Sequence, residues 1–189
     1  QDDDGVHVTL ENGTTYDAEY LLVAVGRGPR TEGVGYEEQG VQMDRGFVLT
    51  DEQLRTNVPN VYAVGDIVPG LQLAHRGFQQ GIFVAEEIGG LSPVAVPDST
   101  IPKVTYSSPE VASVGLTEAE AIEKHGADAV ASYEYNLAGN GRSEILGTSG
   151  IVKVVRAKDG PVIGVHLVGD RVGELITEGQ LAVAWEAHP

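Results

Sequence analysis

One segment of this chain has residue types that could hold a hydroxyl-bearing ligand: Val61-Tyr62-Ala63-Val64, followed at once by Gly65-Asp66. A β-branched and aromatic run that stops at Gly-Asp has the pattern of a buried strand bringing a carboxylate to the carboxyl edge of a sheet. Ligands of open α/β sheets bind at that edge. Ionised Asp66 can only accept hydrogen bonds, which suits a sugar or a ribitol chain. Gly65 lets the backbone approach such a partner closely. Gly-Asp by itself more often marks a strand ending in a capped turn, because short motifs match by chance.

The next element must position the other half of such a site. After the Pro69-Gly70 turn, Leu71 to about Ile88 reads as a helix. Ala74, Phe78, Ile82, Ala85 and Ile88 recur at helical spacing and predict one apolar stripe, and Gly89-Gly90 ends the run. The helix start, Gln72-Leu73-Ala74-His75, exposes free amides and the positive end of a dipole. Amides placed in this way stabilise an anionic ring atom. His75 could act as a base, but a histidine at a helix start is more often a structural donor.

A second ligand-bearing edge is predicted upstream. Tyr20 to Val25 is a continuous apolar run, the mark of a strand buried on both faces. It ends at Gly26-Arg27-Gly28-Pro29-Arg30-Thr31. Basic residues after glycine at a sheet edge fit a phosphate-bearing ligand, and fit a solvated turn equally well.

The remaining elements divide the chain. Residues 6–10 and 14–16 flank an Asn12-Gly13 hairpin turn, and residues 46–50 form a short strand. Pro93, Pro97, Asp98 and Ser99 mark residues 91–100 as a linker and domain boundary. Beyond it come strands at 101–106 and 111–116, then a helix opened by the Thr117-x-x-Glu120 capping box and closed near Gly126. A strand at 130–135 follows, then a hairpin of 151–157 with 162–168 across Asp159-Gly160. A last helix spans about 172–185, with Leu175, Ile176, Gly179, Ala182 and Val183 on one face. Strands meandering between helices give an α+β domain with an antiparallel sheet. Glu110, Arg142, Lys153 and Glu174 read as isolated charges with structural or interfacial roles.

Composition limits the function classes. The 28 acidic residues against 12 Lys plus Arg give a formal charge of −16. That balance opposes nucleic-acid binding and anionic membrane surfaces, and fits an acidic cytoplasmic protein. With no cysteine there is no thiolate nucleophile, disulfide or Cys-based metal site. His7, His75, His125, His166 and His188 show no metal-ligand spacing. No apolar run reaches membrane-spanning length, and Asp2-Asp3-Asp4 is unlike a signal peptide. Asn12-Gly13-Thr14 fits a glycosylation sequon but makes better sense as a turn. The chain has no initiator Met, begins inside a hairpin and stops after a helical run, so it reads as a fragment.

Thr56-Asn57-Val58-Pro59-Asn60-Val61-Tyr62-Ala63-Val64-Gly65-Asp66 resembles the second flavin-binding motif of the pyridine-nucleotide disulfide oxidoreductases. The resemblance implies that Asp66 binds the ribitol of FAD and that the main chain of Gln72, Leu73, Ala74 and His75 contacts the isoalloxazine. Ala24-Val25-Gly26-Arg27-Gly28-Pro29-Arg30-Thr31 is similar to the segment closing the family's NAD domain, which places Gly26 beside bound NAD. Residues 106–118, Gly164 to Gly169 and Glu174-Leu175-Ile176 resemble the family's dimerisation domain and imply a homodimer.

The fold class implied is α/β plus α+β. Residues 1–45 would end the NAD-binding domain, 46–96 form the FAD-binding segment, and 97–189 a truncated dimerisation domain. The start of the Ala74-His75-Arg76-Gly77-Phe78 helix favours the dihydrolipoyl dehydrogenases, which serve a lipoyl-bearing subunit of a 2-oxo acid dehydrogenase complex. Mercuric reductase, glutathione reductase and a soluble transhydrogenase are the alternatives within the family, and a non-catalytic dimerisation module or a structural α+β protein the alternatives outside its chemistry. The family's Cys-x4-Cys pair is absent, and its His-Glu dyad is expected past Pro189. No residue here is assigned a catalytic role.

Overall fold

The computed structural model describes residues 5–189, so the Asp2-Asp3-Asp4 start lies outside it. Strands β1 (Val6–Thr9) and β2 (Thr15–Ala18) form the expected hairpin, with Val6 opposite Ala18 and Thr9 opposite Thr15. The Thr14 N–H donates to Asn12 Oδ1 at 3.0 Å and tightens the turn.

Tyr20 to Val25 departs from its predicted form. The run is irregular and exposed, with Val25 90% accessible. A strand buried on both faces needs neighbours to take its backbone donors and acceptors, and among the described residues none pairs with it. Periodicity announces a strand but cannot supply its partners.

Strands β3 (Met43–Asp44) and β4 (Phe47–Val48) pair antiparallel and begin a small core of Val41, Val48, Ala63 and Val68. Tyr36, Met43, Val58 and Ile67 close around it. The segment 61–64 enters this core without becoming a strand, a second correction. It is held by one bridge between Arg55 and Tyr62, by hydrogen bonds to Val61 O from the Thr56 N–H and hydroxyl, and by those from Val61 N–H to Val58 O and Ala63 N–H to Leu54 O. Only Ala63 of the four is buried. Extended backbone held from one side is enough to aim Gly65-Asp66, but not to make a ladder.

Helix α1 (Ala74–Ile88) ends at Gly89, as predicted. The predicted stripe forms, but it does not face a core. Ala74, Phe78, Ile82, Ala85 and Ile88 face outward, Phe78 at 70% accessibility, and the buried residues are Arg76 and Phe83. The loop before the helix, through Pro69 O, and the linker after it, through Asp98, pack on its Arg76 face. Among the described residues nothing covers the apolar stripe.

Residues 91–97 are irregular and lead into a 3-10 turn, Asp98–Thr100. Then β5 (Lys103–Thr105), β6 (Glu110–Gly115), α2 (Glu118–His125), β7 (Val130–Asn136), α3 (Gly141–Leu146), β8 (Ile151–Ala157), β9 (Val162–Gly169) and α4 (Ile176–Ala184) complete the chain. The five strands form one antiparallel sheet in the order β5-β6-β9-β8-β7. The sheet agrees with the antiparallel architecture expected beyond the linker.

The Thr117 hydroxyl accepts from Glu120 N–H, and the Glu120 carboxylate accepts from Thr117 N–H at 2.8 Å, so the capping box is complete. Helix α3 was not anticipated. Asn140 caps its start and Gly147 closes it in the left-handed region, but six residues are too few to show a period.

The α4 face packs onto the sheet. Val172 and Ile176 join Ala112, Val114, Val162, Val165 and Leu167 in the main core. Gly179 sits so close to β9 that a Cβ there would lie 2.9 Å from Val165 Cβ. Leu175, expected on this face, is 53% exposed: it precedes the helix, where a 3-10 turn (Val172–Glu174) changes the angular spacing.

Candidate functional site

Gly65-Asp66-Ile67 forms a 3-10 turn against the first turns of α1. Gly65 has φ +77, a left-handed value that glycine adopts without strain. Its N–H donates to Gln80 Oε1 at 2.7 Å. A Cβ on Gly77 would stand 3.3 Å from Gly65 Cα, so turn and helix touch through two glycines. Asp66 is exposed, and Gln72 Nε2 lies 3.4 Å from its backbone oxygen.

Leu73 occupies the N-cap of α1 in an extended conformation and supplies no side-chain cap. The first helical amides, those of Ala74 and His75 among them, therefore have no intrahelical acceptor. His75 points elsewhere: its Nε2–H donates to Pro102 O at 2.8 Å, which makes it a structural donor. A cavity of about 650 Å³ opens beside it, lined by Leu73, His75, Gln79, Ile101, Tyr106 and Gln180 among others.

The structure thus brings Gly65, Asp66, Gln72, Leu73, Ala74 and His75 together around one helix opening. Gly26 lies in the exposed irregular segment after Val25, at φ +97. No hydrogen bond among the described residues joins Gly26 to the others. Sequence reasoning missed Gln80, Gly77 and Arg76. A glycine inside a helical pattern signals close backbone approach, and a cation within the first helical turn opposes the dipole, so Gly77 and Arg76 carried readable signals; Gln80 carried none.

Charges elsewhere are less isolated than the sequence suggested. Lys153 Nζ lies 2.7 Å from Glu118 and 2.9 Å from Glu134. The Lys153 hydrogen bond, with a second from Ser132, holds the Glu118 carboxyl below the usual range, while Glu118 and Glu134 raise Lys153. Glu110 Oε2 accepts from Gly173 N–H at 2.9 Å and joins β6 to the turn before α4. Glu174 pairs with Arg171. Arg142 lines a cavity of about 350 Å³ shared with Asp170 and Arg171. Arg55 is hydrogen-bonded to Glu87, which raises its pKa and ties the segment before Asp66 to the far end of α1.

The donor set around α1 fits a flavin. An exposed carboxylate can accept from polyol hydroxyls, and uncapped amides a few residues later can donate to an electron-rich ring. Between them the Gly65–Gly77 contact leaves no side chain.

Two sequence models match this chain. Residues 1–81 match the pyridine nucleotide-disulphide oxidoreductase model, and residues 101–189 match the dimerisation domain of the same group. The chain belongs to the pyridine nucleotide-disulphide oxidoreductase family. Members of this family use FAD and NAD. Its similar relatives include dihydrolipoyl dehydrogenases of Bacillus subtilis and Geobacillus stearothermophilus, each 46% identical over 95% and 96% of this chain respectively. A crystal structure of LpdA from Mycobacterium tuberculosis superposes with a TM-score of 0.86 at 29% identity, covering 98% of this chain and 40% of that one. The chain spans about two fifths of the length of the curated relatives it matches, 39% for both named here. Among the described residues, no helix is long and apolar enough to cross a membrane.

Proposed function

We propose that residues 1–189 form part of a dihydrolipoyl dehydrogenase, a flavoprotein that passes electrons from dihydrolipoyl groups through FAD to NAD. The observation that carries this reading is the exposed Asp66 carboxylate standing beside the uncapped opening of α1. Asp66 would hold the ribitol hydroxyls, and the main chain of Gln72, Leu73, Ala74 and His75 would border the ring. Bound flavin supplies the two-electron chemistry; these residues hold and orient it. Gly26 would border the nicotinamide nucleotide, where a side chain would obstruct close backbone approach.

On this reading residues 1–45 end an NAD-binding domain, 46–96 are the FAD-binding segment and 97–189 pair two copies as a homodimer in the cytoplasm. The partner in turnover would be the lipoyl-bearing subunit of a 2-oxo acid dehydrogenase complex. The 46% identity to dihydrolipoyl dehydrogenases supports that branch over mercuric or glutathione reductase. These residues include no cysteine, so the isolated chain is expected to be inactive and to hold FAD weakly or not at all.

Replacing Asp66 with Ala in the longer flavoprotein tests the reading. Loss of flavin absorbance from the purified variant is expected, and full retention overturns the assignment. A second reading, a dimerisation module without redox activity when isolated, is favoured by the match of residues 101–189. Size-exclusion chromatography of the isolated chain checks it; a monomer at micromolar concentration removes its support.

A further inference from the structure

Arg76 is the charged residue of α1 that is buried. It sits in the first turn, where a cation opposes the helix dipole, and its side chain is only 7% exposed. Helix stability does not explain a buried guanidinium there. Its contacts do. Nε donates to Asp98 Oδ1 at 2.6 Å, 22 residues downstream in the linker, and Nη2 donates to Pro69 O at 2.8 Å, in the loop that follows Asp66. Nη1 is buried with no partner among the described residues, so the fork is oriented for the other two contacts at the expense of the third.

Gly70 completes the arrangement. It has φ +116, and a Cβ there would lie 2.5 Å from both Arg76 Nη2 and Asp98 Oδ2. The loop backbone lies directly on the ion pair. One planar cation thereby fastens three pieces: the loop leaving Asp66, the opening of α1, and the linker entering β5.

We infer that Arg76 is the positioning residue of the flavin-facing segment, fixing Asp66 and the amides of Leu73 to His75 relative to each other through the Pro69 carbonyl. Its hydrogen bonds are to Asp98 and Pro69. This rests on the flavin reading above. The fork suits this place because Nε–H and Nη2–H are two separate donors fixed relative to each other, whereas lysine has rotatable donors on a single nitrogen.

Amide hydrogen exchange on the 189-residue chain tests the fastening without any flavin. Arg76→Met should speed exchange at Val68, Leu73 and Gly77 by about tenfold or more, with the β8 and β9 amides unchanged. Arg76→Lys should fall between, and Gly70→Ala should mimic Arg76→Met with the cation still present. If β8 and β9 also exchange fast in Arg76→Met, the Lys and Gly70→Ala chains decide by the same comparison. Unchanged exchange at the three amides overturns the inference. In the longer flavoprotein, Arg76→Met should weaken FAD binding about tenfold or more and alter the flavin absorbance envelope, with partial recovery in Arg76→Lys. Faster exchange with undiminished FAD affinity also overturns it. Flavin retained by Asp66→Ala instead overturns the flavin reading, and the inference about a flavin-facing segment with it, while the exchange result still stands for the loop.

Discussion

Gly65 and Gly77 meet where the turn carrying Asp66 crosses the first turns of α1, and a Cβ on Gly77 would come within 3.3 Å of Gly65 Cα. The two backbones are in van der Waals contact there. The Asp66 backbone and the helix opening are therefore held at a separation set by the main chain, and the Asp66 rotamer alone then places the carboxylate.

Gly77→Val places a branched side chain in that contact. Overpacking of this kind costs about 1–3 kcal/mol. The expected outcome is a lower urea midpoint for the chain and a weaker hold on flavin in the longer protein. An unchanged midpoint would mean that the turn can retreat from the helix freely.

Gly179→Leu tests the other close approach. Its Cβ would fall 2.9 Å from Val165 Cβ and Cγ1, with Gly179 buried and Val165 in a core that admits little movement. Helix α4 must lift from β9, at a cost of about 1–3 kcal/mol or more. The fluorescence of Trp185, just past the end of α4, reports the displacement during denaturant titration.

Thr117→Ala removes the capping-box hydroxyl while leaving the Glu120 side chain in place. The loss expected from an N-cap of this type is about 1 kcal/mol. Thermal unfolding followed by circular dichroism measures it, and Thr117→Ser should recover most of the difference.

Acid should weaken the C-terminal half through Glu118 and Glu120. Both carboxyls are lowered on folding, Glu118 first by the Lys153 hydrogen bond and Glu120 first by the Thr117 backbone N–H. A depressed carboxyl contributes stability that is complete above its unfolded pKa and disappears as pH falls through the folded value. The loss therefore lies below about pH 4.5, the ordinary glutamate value. Lys153, raised on folding, works in the opposite direction, its contribution lost only above the ordinary lysine range. Because these groups are well solvated, each effect is modest and weakens with salt. Urea midpoints at pH 3.5 and 7 should converge in part when Glu118→Gln is introduced.

The C-terminal sheet was legible in the residues because each of its signals is local. Thr117-x-x-Glu120 forms its box and Asp159-Gly160 turns its hairpin. The alternation of Val130 to Tyr135 and the β-branched runs 151–157 and 162–168 all became strands. Their partners lie within the same stretch of chain, so local preference and long-range pairing agree. The order β5-β6-β9-β8-β7 was not legible, since register across 50 residues is decided by which faces share a core.

The residues alone determined the chemistry on offer: a lone carboxylate after Gly65, a helix whose first residue cannot cap it, no thiol, and a strongly acidic surface. Tertiary structure decided what those residues do with one another. It turned the Phe78 stripe outward, left Tyr20 to Val25 unpaired and buried Arg76 against Asp98, because burial belongs to whichever surface arrives to cover a residue. A pattern states which face could be covered; only the folded neighbours, by the area and hydrogen bonds they bring, settle which face is.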